Sequence, residues 1–158
     1  MRDDVAFDSV DVAILRILQS DGRIANKDLA AAVGVAPSTC LDRVARLRRA
    51  GVITGYLAEV DAASMGRTVD ALLAVQVQPH SRGVVDPFVA HVLALPETRA
   101  VHHVTGVDDF IVHVSCGSTR DLQRLVLDEF TTRPEVGRVQ THLIFGSWRG
   151  GPLLPYPS

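Results

Sequence analysis

Between Pro37 and Ala50 the chain sets hydroxyls, a carboxylate and guanidiniums along one side of a single helix. Proline at a first helical position, where its missing N–H is not needed, and Gly51 just past the end predict that helix, which would be about 21 Å long. At about 100° per residue, Cys40, Val44 and Leu47 share one stripe, while Ser38, Thr39, Asp42, Arg46 and Arg49 fall opposite. Arg43, Arg46, Arg48 and Arg49 lie within seven residues of one another. Guanidiniums fork onto guanine or phosphate and hydroxyls reach phosphates or base edges, so this face has the chemistry of a major-groove reader. The same residues also describe an ordinary amphipathic helix with a solvated basic side. What precedes the helix decides between the two.

A second stretch, Thr105-Gly106-Val107-Asp108-Asp109, could bind a small zwitterion. Glycine lets backbone amides approach a carboxylate and an aspartate accepts from an ammonium, which matches both ends of an α-amino acid. The plainer reading is that Gly106 and Asp109 simply build a hairpin. His102, His103, His113 and His142 fall on predicted strands, with His102 and His113 as candidate cross-strand neighbours. Lining an interface or effector cavity, they would make assembly pH-sensitive. Cys40 and Cys116 are widely separated and sit at apolar periodic positions, which predicts buried, reduced core residues and no metal site. With no Ser/His/Asp arrangement, phosphate loop or paired catalytic carboxylates, the chain reads as a non-enzyme without a cofactor.

The elements that would hold these residues follow from periodicity. Asp8 or Ser9 caps a first helix carrying Val10, Ile14, Ile17 and Leu18, and Asp21-Gly22 ends it. A second helix opens at Asn26, faces Leu29, Ala30 and Val33 inward and stops at Gly34. Only Gly34, Val35 and Ala36 then separate it from Pro37, so two helices meet at a tight turn as a helix-turn-helix. Asn26 and Lys27 at that opening join Pro37, Ser38, Thr39, Asp42, Arg43, Arg46 and Arg49 as the candidate DNA-contacting set. Val52 to Asp61 alternates and reads as a linker strand. The rest reads β-α-β-β-α-β: a strand over 69–78, a helix over 84–95 whose start Asp86-Pro87 could mark, strands over 101–105 and 109–115, a helix from Ser118 or Thr119 to Phe130, and a strand over 136–145. That order packs as a four-stranded antiparallel sheet with both helices on one face. Leu73 or Leu72, Ile111 and Ile144 would line the other face, which calls for a second copy as cover. The domains are then 1–51 helix-turn-helix, 52–66 linker, 67–146 effector-binding and oligomerisation domain, and 147–158 tail.

The 158 residues are 47% apolar with a formal net charge of −2, so affinity for nucleic acid must come from local clustering and not from the overall field. An acidic start without a long apolar run, and no stretch long enough for a bilayer, predict a cytoplasmic protein with no membrane partner.

In order and spacing, Asp8 to Gln19, Gly22-Arg23-Ile24, Asp28-Leu29-Ala30, Val33-Gly34-Val35, Arg43 to Leu47, Gly51 to Tyr56, Val104-Thr105-Gly106 with Asp109-Phe110, and Val136 to Thr141 resemble the Lrp/AsnC family of transcriptional regulators, the feast/famine regulators. The resemblance implies double-stranded DNA as partner, an α+β ferredoxin-like effector domain, dimers formed sheet to sheet and commonly assembled into octamers, and an amino acid or related molecule bound between dimers near Thr105 to Asp109. It points to Asp109 as the residue facing the ligand, and the candidate effector set is Thr105, Gly106, Val107, Asp108, Asp109 and His142. Two departures stand out. Val107 and Asp108 replace the acidic and aromatic residues common in the family, and Ala36 replaces the usual serine, removing a side-chain cap at a cost of about 1 kcal/mol. Relatives of this fold include sirohaem decarboxylases, which use histidines on a porphyrin, but such an enzyme has no need of four arginines on the third helix. An effector-independent architectural protein that compacts DNA is the other alternative.

Overall fold

The computed structural model describes residues 6–156; the acidic opening residues and the last two of the tail lie outside it. It divides into two units, one combining the residues up to Glu59 with those from Arg149 onward, the other running from Val60 to Trp148.

In the first unit three helices, α1 (Ser9–Ser20), α2 (Asn26–Val33) and α3 (Pro37–Arg49), close around Ile14, Leu15, Leu29, Ala30, Cys40 and Leu47. Asp8 starts α1 with a capping box: its carboxylate accepts from the Asp11 amide at 2.9 Å while that of Asp11 accepts from the Asp8 amide at 3.2 Å. Gly34 ends α2 at φ 72°, a backbone conformation that favours glycine, and the chain enters α3 through extended Ala36 with Pro37 at the first position. Ala36 gives no side-chain cap, as its type predicts.

The linker differs from expectation. Among the described residues 52–61 form no strand. A strand is held by a ladder to a neighbouring backbone, and in the single chain no neighbour pairs with this segment.

The second unit contains β1 (Val69–Val77), α4 (Arg82–Ala94), β2 (Thr98–His103), β3 (Phe110–Cys116), α5 (Thr119–Leu125, continued by a wider turn over Val126–Thr131) and β4 (Val136–Leu143). All neighbours in the sheet are antiparallel, in the order β2-β3-β1-β4. Leu73, Val75, Val77, Phe110, Val112 and Val114 pack against Phe88 and Val92 of α4 and Leu122, Leu125 and Phe130 on the other helical side. Both cysteines are buried thiols. The helix α4 starts earlier than Asp86-Pro87, at Arg82 after extended Ser81; Pro87 then lies inside it, where it has no N–H to donate to the Gly83 carbonyl.

The pairing register resolves which of two adjacent leucines faces out. Leu73 is in the core, and Leu72 shares the uncovered face with Ile111. One rung of that face reads Ala100, His113, Leu72, His142, and a neighbouring rung reads His102, Ile111, Ala74, Gln140. His102 is therefore opposite Ile111 and diagonal to His113, not its direct partner.

Candidate DNA interface and effector turn

On α3, Cys40 and Leu47 are fully buried while Ser38, Thr39, Asp42 and Arg49 are exposed, so one side anchors and the other is offered. The two arginines between these sides are not free. Arg43 Nη1 donates to Asp8 at 2.6 Å and to Asp11 at 3.0 Å, and Arg46 Nη2 donates to the other oxygen of Asp11 at 2.5 Å. Asp11 is 1% exposed. Burial pushes its carboxyl up, but Arg46, the Asp8 amide and Arg43 outweigh that and hold it below the usual carboxylate range. The Asp11 amide and Arg43 lower Asp8 likewise, and these pairs raise Arg43. One buried acid thus fixes the rotation of α3 against α1 through two guanidiniums, and the charges of Arg43 and Arg46 are largely met within the unit. Arg48 and Arg49 are exposed and make no ion pair among the described residues.

Asn26 donates from Nδ2 to the Pro37 carbonyl at 2.8 Å, tying the start of α2 to the start of α3; Lys27 beside it is exposed. This is a positioning contact, and it sets the crossing of the two helices independently of the tight turn.

In the second unit the loop between β2 and β3 is fastened by five contacts. Asp109 accepts from the Val77 amide at 2.8 Å and lies 2.9 Å from His80 Nδ1; its own amide donates to the Val75 carbonyl at 3.0 Å. Arg138 donates to Asp108 at 3.2 Å, and Gln76 donates to the Val107 carbonyl at 2.5 Å. The Val77 amide, followed by His80, holds the Asp109 carboxyl below its usual range against partial burial. Gly106 adopts φ 136°, Thr105 is exposed, and the Val107 side chain projects outward at 73% exposure. The structure therefore brings Thr105, Gly106, Val107, Asp108 and Asp109 into one turn with the carboxylates turned back onto β1, β4 and His80. It does not gather His142 with them. His142 is level with Leu72, whereas the turn leaves the sheet level with Val75 and Val139, three residues or about 10 Å along the strands.

Sequence reasoning missed Gln76, His80, Arg138 and the role of Asp11. The Asp8/Asp11 spacing does signal a capping box, but nothing local signals arginines arriving 32 and 35 residues later. His80 lies between β1 and α4, outside any strand.

The Asp109 contact has a measurable consequence. Asp109→Ala leaves the Val77 N–H without its acceptor and is expected to lower the stability of the second unit by about 1 to 3 kcal/mol, read as a drop in Tm. Because the folded pKa of Asp109 is depressed, its contribution is present above the usual carboxylate range, near pH 4, and is lost as pH falls through the folded value; the alanine variant should show a flatter acid limb.

A helical unit that offers one face of a turn-linked helix, joined to an antiparallel sheet covered by helices on one side, defines the class of two-unit DNA-binding regulators. Comparison with known proteins gives the family. The model of the AsnC-type helix-turn-helix domain matches residues 7–48 and that of the Lrp/AsnC ligand binding domain matches residues 70–152. The chain is 41% identical over 147 residues to the HTH-type transcriptional regulator AldR of Mycolicibacterium smegmatis, covering 93% of this chain and 86% of that one. It is 36% identical to the leucine-responsive regulatory protein of Rhizobium meliloti, covering 88% and 89%. Among solved structures, a Neisseria meningitidis transcriptional regulator in complex with L-Met superposes with a TM-score of 0.85 at 26% identity, covering 95% and 97%. The chain belongs to the Lrp/AsnC family of transcriptional regulators. No helix among the described residues is long and apolar enough to cross a membrane.

Proposed function

We propose that this regulator reads DNA through the face of α3 formed by Ser38, Thr39, Asp42 and Arg49, with Lys27 and Arg48 on phosphates, and that an amino acid bound at the 105–109 turn alters that reading. The observation that carries the DNA half is the buried Asp11 gripping both Arg43 and Arg46, since it holds α3 in one orientation with its polar face outward. The effector half is supported by the Neisseria relative, whose complex holds L-Met, and by a turn whose backbone is fixed in advance by Asp109, His80, Gln76 and Arg138. Such preorganisation reduces the ordering cost of binding.

The protein acts as a homodimer through the open sheet face, assembling further into octamers in which the turn lies between dimers. A ligand shared between dimers has different contacts in the assembled and separated states, and only that difference shifts an equilibrium. A coupling of about 1 to 3 kcal/mol changes apparent operator affinity 5- to 150-fold. Thermal-shift screening against the amino acids tests this directly, because a ligand at about 100 times its Kd adds about 2.7 kcal/mol to the folded state. Absence of a shift with every amino acid would refute the effector assignment.

On the DNA side, Arg49→Ala should weaken operator binding by about 1 to 3 kcal/mol. A loss confined to certain base pairs would mean base readout; a uniform loss with a salt slope smaller by about one would mean a phosphate contact. Unchanged affinity across salt concentrations would remove Arg49 from the interface. Two α3 helices in a dimer further require half-sites about 34 Å apart, or a multiple of that.

A further inference from the structure

The DNA-binding unit contains a groove of about 410 Å³ between α1 and the chain leaving α3, with Leu15, Leu18, Val52, Ile53 and Tyr56 among its walls. Tyr56 rests on Gly22, where an added Cβ would meet its ring at 3.1 Å. Leu153, Leu154 and Pro155, from the far end of the sequence, form its remaining wall. Leu154 packs onto the core of the three helices, and Gln19 grips residue 153 by its backbone, Nε2 donating to the Leu153 carbonyl and Oε1 accepting from the Leu153 amide, both at 2.8 Å.

An amide side chain that satisfies both main-chain groups of one residue acts as a short piece of β-strand and fixes direction and register. Register then turns Leu153 out, at 85% exposure, and Leu154 in. Pro152 and Pro155 flank this pair; each lacks an N–H that would need a partner and restricts the unbound peptide, which lowers the entropy lost on docking. The exposed pair of Arg149 with Glu59 at 2.7 Å adds little energy but lies at the junction where both crossings begin.

Because residues from Arg149 onward belong to the first unit, the backbone crosses between the units twice, at 59–60 and again at 148–149. We infer that Pro152 to Pro155 is a docking segment for the α1 groove, and that when seated it makes residues 144–148 a second strap through which the effector-binding unit controls the DNA-binding unit. The coupling half of this inference rests on the amino-acid response proposed above; the docking half does not. A unit held by one extended linker turns freely about it, whereas two backbones leaving one junction, tied there by Arg149 and Glu59, remove the free rotation about a single chain. The strap begins directly after β4, so a rearrangement of the sheet reaches α1 without any contact to α3.

The test uses the full chain with Gln19→Ala, Leu154→Asp and, as a control on the exposed neighbour, Leu153→Asp. Hydrogen exchange at the residue 153 amide is expected to accelerate at least tenfold in Gln19→Ala and Leu154→Asp and to stay slow in Leu153→Asp. Spin labels at Arg16→Cys and Arg120→Cys, one on each unit, are expected to give a broader distance distribution in Leu154→Asp than in the parent; the native thiols, being buried, spare the labelling. Operator affinity with and without an equimolar mixture of the protein L-amino acids should change less in Leu154→Asp, by at least fivefold, while the binding heat on titrating that same mixture is retained. Equal exchange in all variants overturns the docking, and an unchanged distance distribution overturns the strap. A parent protein indifferent to the mixture overturns the amino-acid reading and with it the coupling, leaving exchange and distances to decide the strap.

Discussion

Replacing Asp11 by alanine will destabilise the DNA-binding unit by about 2 to 4 kcal/mol and reduce operator binding with it. The substitution removes one half of the capping box and leaves two guanidiniums without their acceptor. The figure sits below that for a fully buried pair because Arg43 and Arg46 retain 26% and 44% side-chain exposure and can recruit water. A small helical unit has only several kcal/mol in total, so this is a large fraction. Asp11→Asn keeps the shape and part of the hydrogen bonding, and should recover some of the loss without restoring the charge. The sign of the pH dependence follows from the depressed pKa of Asp11: the contribution is full above about pH 4 and disappears as pH falls through the folded value, so the parent loses stability on acidification and Asp11→Asn loses less. Denaturant titrations of both variants against pH check this. A stability change under 1 kcal/mol, on the order of an exposed ion pair, would show that the acid does not fix α3.

Ile111→Asp will raise the dimer dissociation constant by roughly a thousandfold, whereas Leu73→Asp will unfold the second unit. The two residues lie on opposite faces of one sheet, Ile111 on the open face and Leu73 in the core. In an interface built by a two-fold axis each substitution occurs twice, so burying two carboxylates in place of two apolar side chains doubles a loss of about 2 kcal/mol per site. Analytical ultracentrifugation over a concentration series reads the first effect and circular dichroism separates it from the second. A parent chain that sediments as a folded monomer at micromolar concentration would reject the sheet-to-sheet dimer, and so would an unshifted Ile111→Asp equilibrium.

These contrasts show what the sequence made readable. The three N-terminal helices were legible because Ile14, Leu29, Cys40 and Leu47 recur with helical spacing and because Gly34 and Pro37 punctuate the chain. The βαββαβ order was legible because short apolar runs alternate there with stretches of helical period. The faces of β1 were not, since Ala71 to Val75 is apolar on both sides and alternation carries no signal there; only the ladder to β3 assigns Leu72 outward. The linker at 52–61 alternates like a strand, yet local pattern cannot supply the backbone a strand must pair with. The candidate sites were legible as stretches and not as contacts. A helical wheel knows only its own helix, so the ion pair of Arg46 with Asp11 was hidden, and the contacts of Asp109 to Val77 and His80 were hidden because both partners are distant in sequence.

The discontinuous make-up of the DNA-binding unit has a consequence for synthesis. When the ribosome has delivered residue 60, all three helices are complete but Leu153 and Leu154 have yet to be made. At translation rates of about 5 to 20 residues per second the groove beside α1 stands open for roughly 5 to 20 s while the sheet and its helices emerge. A nascent chain in that interval lacks Leu154, which packs on the helical core of the finished unit. The DNA-binding unit is therefore expected to reach its finished form only after the second unit has been synthesised.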